Sequence, residues 1–181
     1  MRARLIQSIT VDEYLEAEID AEARHEYVYG EVFALARGSV THNVIGANVM
    51  RLLGNAAATS DCRVYGSDMK LRSEEGLFYY PDVMVVCVPP ADDLYKTSPY
   101  VVVEVVSPST ARKDRLEKRF AYLALESVQY LLIDSRKRAV TGYYRQPQGW
   151  EERLFAPSDA VPVPCVDATL SFNELYDKTS L

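Results

Sequence analysis

A chain of 181 residues, 48% of them apolar, is long enough to bury one substantial core and short for two, so a single domain spanning residues 1–181 is expected. Its formal net charge of −6 excludes a general nucleic-acid coat, because Lys and Arg contacts to phosphate supply most non-specific affinity. Any nucleic-acid contact must therefore be local.

The first residues, MRARLIQSITVDEYLEAE, meet charge too early for a signal peptide, and no run approaches ~18 apolar residues. A cytoplasmic protein without a membrane segment is expected. Thr10 can cap a short helix ending near Asp20, with Asp12 and Glu13 in its first turn and Tyr14 and Leu15 on an apolar edge. HEYVYGEVFALA, residues 25–36, reads as β-structure with a hairpin turn or bulge at Gly30, broken by Arg37-Gly38-Ser39. From His42 to Thr59, Val44/Ile45, Val49, Leu52 and Leu53 recur at helical spacing. Cys62–Arg72 alternates like one strand, and Ser73-Glu74-Glu75-Gly76 turns into the next.

That next strand runs through Tyr80-Pro81-Asp82-Val83-Met84-Val85-Val86 and is followed by a Pro89-Pro90-Ala91-Asp92-Asp93 loop. Another apolar strand, Tyr100–Val106, contains Glu104. Ser107-Pro108-Ser109-Thr110 supplies caps for a helix to about Glu126, with Phe120, Leu123 and Ala124 on its apolar side. Gln129–Asp134 reads as a buried strand, AVTGYYR and WEERLFA as an antiparallel meander, and the tail as ending in a short helix after Ser171. Cys62, Cys87 and Cys165 lack the close spacing of zinc sites or disulfide frameworks and read as reduced, packed thiols.

Asp82 and Glu104 stand out because each interrupts a run whose flanks read as buried. An unpaired carboxylate there costs several kcal/mol, so it must be solvated, hydrogen-bonded, paired or bound to a cation. Two such acids on neighbouring strands point to a metal site, and their oxygens suit Mg²⁺, with Mn²⁺ able to substitute. The Val105 carbonyl is a further donor. Lys118 lies on the helix that must pack back over the Glu104 strand, and its long stem can carry the ammonium to the acids. Asp114 lies one turn earlier on the same face and can orient it. Lys70, on the strand beside Asp82, is the other candidate cation.

Residues 42–134 thus read helix, strand, strand, strand, helix, strand, an α/β (α+β) arrangement with a central mixed sheet flanked by helices, preceded by a hairpin and followed by a meander. With Pro81-Asp82 and Glu104 placed so, this αβββαβ order resembles the restriction-endonuclease-like core of the PD-(D/E)XK nuclease superfamily. YGEV, His42, YPDVMVV, VVVEVVSPST, the Asp114/Lys118/Tyr122 spacing and YLLID are similar to the Uma-two family of restriction endonucleases over roughly residues 10–175. The resemblance implies that Asp82 and Glu104 hold a divalent metal against a scissile phosphate while a lysine steadies the attacking hydroxide. The superfamily's usual lysine two residues after the second acid is absent here, since Glu104-Val105-Val106 ends in valine; Lys118 takes its place. Glu26 stands where the family has an acid before its glycine hairpin, and His42 is a further supporting candidate.

Each residue also has an ordinary reading: Asp82 as an edge acid, Glu26 as a hairpin acid, His42 as a packing histidine and Lys118 as a solvated lysine. Arg112, Lys113, Arg115 and Arg119 form either a solvated face or a local phosphate patch. The expected function is a Mg²⁺-dependent endonuclease hydrolysing DNA phosphodiester bonds; the alternative is a catalytically inactive nuclease-fold binding or assembly module. Cutting both strands of a duplex requires two active sites, which a symmetric homodimer would supply.

Overall fold

The computed structural model describes residues 8–35, 38–88, 92–125 and 129–181. The first seven residues, the break at Arg37, the first three residues of the Pro89-Pro90-Ala91-Asp92-Asp93 loop and the helix end at Glu126 lie outside them. Thr10 caps α1 (Val11–Ile19) through a capping box with Glu13. β1 (His25–Val28) and β2 (Glu31–Ala34) pair about a tight turn in which Tyr29 and Gly30 both take positive φ. Then come α2 (Val40–Ala57), β3 (Arg63–Gly66), β4 (Lys70–Arg72), β5 (Phe78–Tyr79), β6 (Val83–Val86), β7 (Tyr95–Lys96) and β8 (Val101–Val106).

A π-helical segment, Lys113–Lys118, continues as α3 (Arg119–Leu123), and β9 (Gln129–Asp134), β10 (Val140–Gln146) and β11 (Gly149–Phe155) form the meander. The tail adds a hairpin of β12 (Ala160–Val163) and β13 (Ala168–Ser171), which the sequence pattern did not signal, before α4 (Phe172–Leu175), capped by Ser171.

Two sheets organise these elements, in the orders β11-β10-β9-β8-β6-β3 and β2-β1-β5-β4-β7. The first is mixed, with β8 and β9 parallel and the other neighbours antiparallel. The stretch Cys62–Arg72, expected as one strand, is two: β3 pairs with β6 in the first sheet, and β4 with β5 in the second. The ribbon changes sheets where Ser67-Asp68-Met69 faces Tyr80-Pro81-Asp82. Pro81 has no N–H to give a ladder, so the strand breaks there. Asp82 is left at the corner.

Strand alternation divides the core. Val83, Val85, Val101, Val103 and Val105 pack toward Ile45, Val49, Leu53 and Ala57 of α2. Met84, Val86, Val102 and Val106 pack on the opposite face with Tyr122 and Leu125. The helix after β8 therefore buries Asp114, Lys118 and Tyr122, whereas Phe120, expected on its apolar side, is 69% exposed.

Cys62 and Cys87 flank the paired ends of β3 and β6 and are joined as a disulfide, so the expectation of three reduced thiols holds only for Cys165. Twenty-five residues apart in the chain, they become neighbours only when the ribbon pairs. Burial pushes the Cys165 thiol up to about 11. At pH 8 its thiolate fraction falls to about 10⁻³, so iodoacetamide should label it about 10²-fold more slowly in the native protein than in the unfolded chain, where the value is near 8.5. Peptide mapping of timed labelling reads this directly; equal rates in both states would contradict its burial.

Candidate active site

β6 and β8 pair with Val83 opposite Val103, so one step further along the same register sets Asp82 opposite Glu104. Directly opposed residues share a face of a sheet, about 4.5–5.5 Å apart at Cβ. Alternation turns both toward the helix that follows β8. Past the start of β6 the strand no longer satisfies the β8 edge, and the Asp82 side chain takes over: its Oδ2 accepts from the Val105 N–H at 2.7 Å. The Val105 carbonyl points to that same edge, because the N–H and C=O of one strand residue face the same side.

Glu104 is 4% exposed and lies beneath the π-helical segment. Its Oε1 accepts from Lys118 Nζ and from the Tyr122 hydroxyl, each at 2.9 Å. Lys118 Nζ also meets Glu26 Oε1 at 2.9 Å and Asp114 Oδ1 at 3.7 Å. The ordinary reading of Lys118 as a solvated lysine is thereby replaced, since it is 5% exposed and surrounded by three carboxylates. Single-turn π segments recur at functional sites.

The charges are unevenly settled. Burial pushes the Glu104 carboxyl well above its ordinary range; Lys118 pulls it down less, and Asp114, Asp82 and Glu26 add to the rise. Burial works against the Lys118 ammonium, but Glu104, Glu26 and Asp114 together hold its proton far above the usual lysine value. Lys118 is thus a fixed cation, unsuited to accept a proton. Burial likewise raises Asp114, against Lys118 and a Thr110 hydrogen bond. Burial pushes Glu26 up as well, yet Lys118 and Lys113 bring it below its ordinary value.

His42, near the start of α2, brings Nε2 within 3.2 Å of Asp82 Oδ2, and that hydrogen bond raises its pKa despite partial burial. Ser39 caps α2 and fixes the first turn from which the ring projects. One cleft is lined by His42, Asp82, Glu104, Val105, Asp114 and Lys118, with Arg24 at its wall. Arg24, which the sequence did not single out, is held by the Ser67 hydroxyl and by Asp68. Only the corner between the two sheets brings it there.

Lys70 is not part of this group. Its ammonium lies over the Tyr80 ring, 5.7 Å from the centroid, and among the described residues it forms no ion pair with Asp82 or Glu104. β4 belongs to the other sheet, so the strand change carries Lys70 away. The four basic residues expected as one patch also diverge. Lys113 pairs with Glu26 at 2.5 Å and lies over Phe33, Arg119 meets the Tyr143 hydroxyl, and Arg115 turns to a second hollow. Arg112 is exposed.

Among the described residues no group of three or more His, Cys, Asp or Glu side chains is arranged to hold a metal. The donors present still fit Mg²⁺, which takes one or two carboxylates and keeps several waters. Asp82 is engaged through Oδ2 and Glu104 through Oε1; among the described residues no hydrogen bond engages Asp82 Oδ1 or Glu104 Oε2.

A mixed sheet between α2 and the helix after β8, with paired acids where two neighbouring strands diverge, is the restriction-endonuclease-like fold. A solved structure described as a putative nuclease belonging to DUF820, from Anabaena variabilis, has that fold in common with this chain: TM-score 0.77, 21% identity, 93% of this chain and 97% of that one covered. Two curated relatives, both uncharacterised proteins of Synechocystis sp., are slr1290, 31% identical over 93% of this chain and 91% of its own length, and sll1609, 34% identical over 70% and 75%. The Uma2 family model, described as "Putative restriction endonuclease", matches residues 11–173, and the chain belongs to that family.

Proposed function

We propose that the protein is a Mg²⁺-dependent endodeoxyribonuclease, with Asp82 and Glu104 as metal ligands and Lys118 as the catalytic cation. The observation that carries this reading is the opposition of Asp82 and Glu104 at the end of β6, each with one oxygen engaged by protein and the other free of hydrogen bonds among the described residues, under a buried lysine. Mg²⁺ or Mn²⁺ would be held by these two acids and the Val105 carbonyl. When bound, it supplies Lewis acidity to the scissile phosphate and acidifies a coordinated water.

The protein groups have separable tasks. Asp82 is fixed by the Val105 N–H and turned by His42, so the ligand oxygens are presented without rearrangement. Lys118 remains protonated and places positive charge beside the reacting phosphate, where preorganised charge lowers the barrier. Asp114 and Glu26 hold that ammonium in place. Arg24 at the cleft wall is tied to Ser67 and Asp68 and helps to shape the cleft.

Four carboxylates crowd the site, and a divalent cation relieves their repulsion. Titrating Mg²⁺ or Mn²⁺ should therefore raise the melting temperature by mass action, about 2.7 kcal/mol of stabilisation at 100 times Kd. Asp82→Asn should abolish the shift. A full metal response in that variant would show that the ion binds elsewhere.

A further inference from the structure

Beside the catalytic cleft lies a second hollow, lined by Val106, Ser107, Pro108, Ala111, Arg115, Asp134, Arg136 and Lys137. Ser107 is common to both. We infer that Arg115, Arg136 and Lys137 form a binding site for a backbone phosphate of the DNA substrate, flanking the scissile one. This inference rests on the nuclease reading of the Asp82 cleft.

The chain carries 20 Lys and Arg against 26 Asp and Glu, so an anionic strand can be held only where cations are locally unopposed. Several basic side chains are already committed: Lys113 and Lys118 to the cluster around Glu26, Arg24 to Asp68 and Arg153 to Glu151. Among the described residues, Arg115, Arg136 and Lys137 form no ion pair within 4.0 Å. The one acid in the hollow, Asp134, has Oδ1 occupied by the Arg136 N–H.

The scaffold is built to hold these groups. Arg136 and Lys137 sit on the β9–β10 turn, whose backbone surrounds the Tyr176 hydroxyl: the carbonyls of Asp134, Lys137 and Ala139 lie 2.9–3.1 Å away, and Ala139 N–H donates to it. Tyr176 is buried, and burial pushes its hydroxyl up to about 12, so it stays protonated. Arg115 comes from the π-helical segment that also carries Lys118, tying the two hollows to one element. Along β8, Ser107 is three residues beyond Glu104, about 10 Å at 3.3 Å per residue. With about 3.4 Å of axial rise per phosphate on one strand, the cations address a phosphate within about three steps of the cut.

The test is duplex-DNA binding by the full chain in EDTA, read by fluorescence anisotropy from low to high salt. Arg115→Gln/Arg136→Gln/Lys137→Gln should weaken binding on the order of 10²-fold near physiological salt and flatten the slope of log K against log salt by about 2–3. Arg136→Gln alone should flatten it by about 1, and Arg136→Lys should preserve it. The triple variant should keep the parent's Mn²⁺-induced melting shift, because the metal ligands are untouched. An unchanged affinity and slope in the triple variant, or no duplex binding by the parent, overturns the inference, as does a larger effect on duplex RNA than on DNA. If the triple variant loses DNA binding while the parent shows neither metal response nor cleavage, the phosphate site stands and the nuclease reading falls.

Discussion

Lys118→Met is expected to destabilise the protein by about 3–5 kcal/mol at neutral pH, the cost of leaving buried charges without their partner. Lys118 Nζ is within 2.9 Å of both Glu26 and Glu104, and within 3.7 Å of Asp114, so its removal leaves three buried acids facing one another. The methionine stem fills the space but carries no charge. Two readouts separate this from a generic core defect. Turnover, measured at a temperature where the variant is folded, should fall about 10²–10³-fold, the loss expected for one positioned electrostatic group. Mn²⁺ should stabilise the variant more than the parent, because the ion meets acids that have lost their ammonium. A variant as stable and as active as the parent would remove Lys118 from the centre of the account.

Glu104→Gln is expected to separate catalysis from stability in the opposite sense. Glutamine keeps the acceptor for Lys118 and Tyr122 and nearly the same volume, but it is a poor ligand, so metal-dependent cleavage should drop to background. Stability should not fall with it. Burial raises the Glu104 carboxyl well above its ordinary range, so this group opposes folding once it ionises. Its contribution is fully favourable below the unfolded value of about 4.3 and declines as pH rises toward the raised folded value. The parent should therefore lose stability over that interval, and the variant should lose less. Urea midpoints taken from pH 4 to 8 in EDTA measure the difference; a steeper decline in the variant would mean that Glu104 stabilises the fold as an anion.

Much of the site was legible because strand chemistry is strict. A carboxylate inside Val101–Val106 has no ordinary place, and Pro81 before Asp82 marks a strand break, so the two acids are visible as violations of pattern. The helical spacing of Asp114, Lys118 and Tyr122 likewise carries one face, although the same spacing misassigned Phe120, which is exposed because charge and tyrosine occupy the buried side. What periodicity cannot carry is which sheet a strand joins. Lys70 looked close to Asp82 because Cys62–Arg72 alternates as one strand; the ribbon divides at Gly66 and takes Lys70 into the second sheet. Arg136 and Lys137 were silent for a similar reason, since a turn gains position from Tyr176, forty residues away in sequence for Arg136. The Cys62–Cys87 bond depends on strand register, which spacing alone does not specify.

The most direct measurement is incubation of supercoiled plasmid with the parent protein and with Asp82→Ala, in Mn²⁺, Mg²⁺ or EDTA, followed by gel separation of the products. The parent should nick or linearise the plasmid with either metal and leave it intact in EDTA, and Asp82→Ala should leave it intact throughout, because losing one ligand misplaces the centre on which cleavage depends. If the parent leaves plasmid, single-stranded DNA and RNA uncut with Mg²⁺, Mn²⁺ and Co²⁺ alike, the nuclease account is contradicted and a nuclease-fold binding module takes its place.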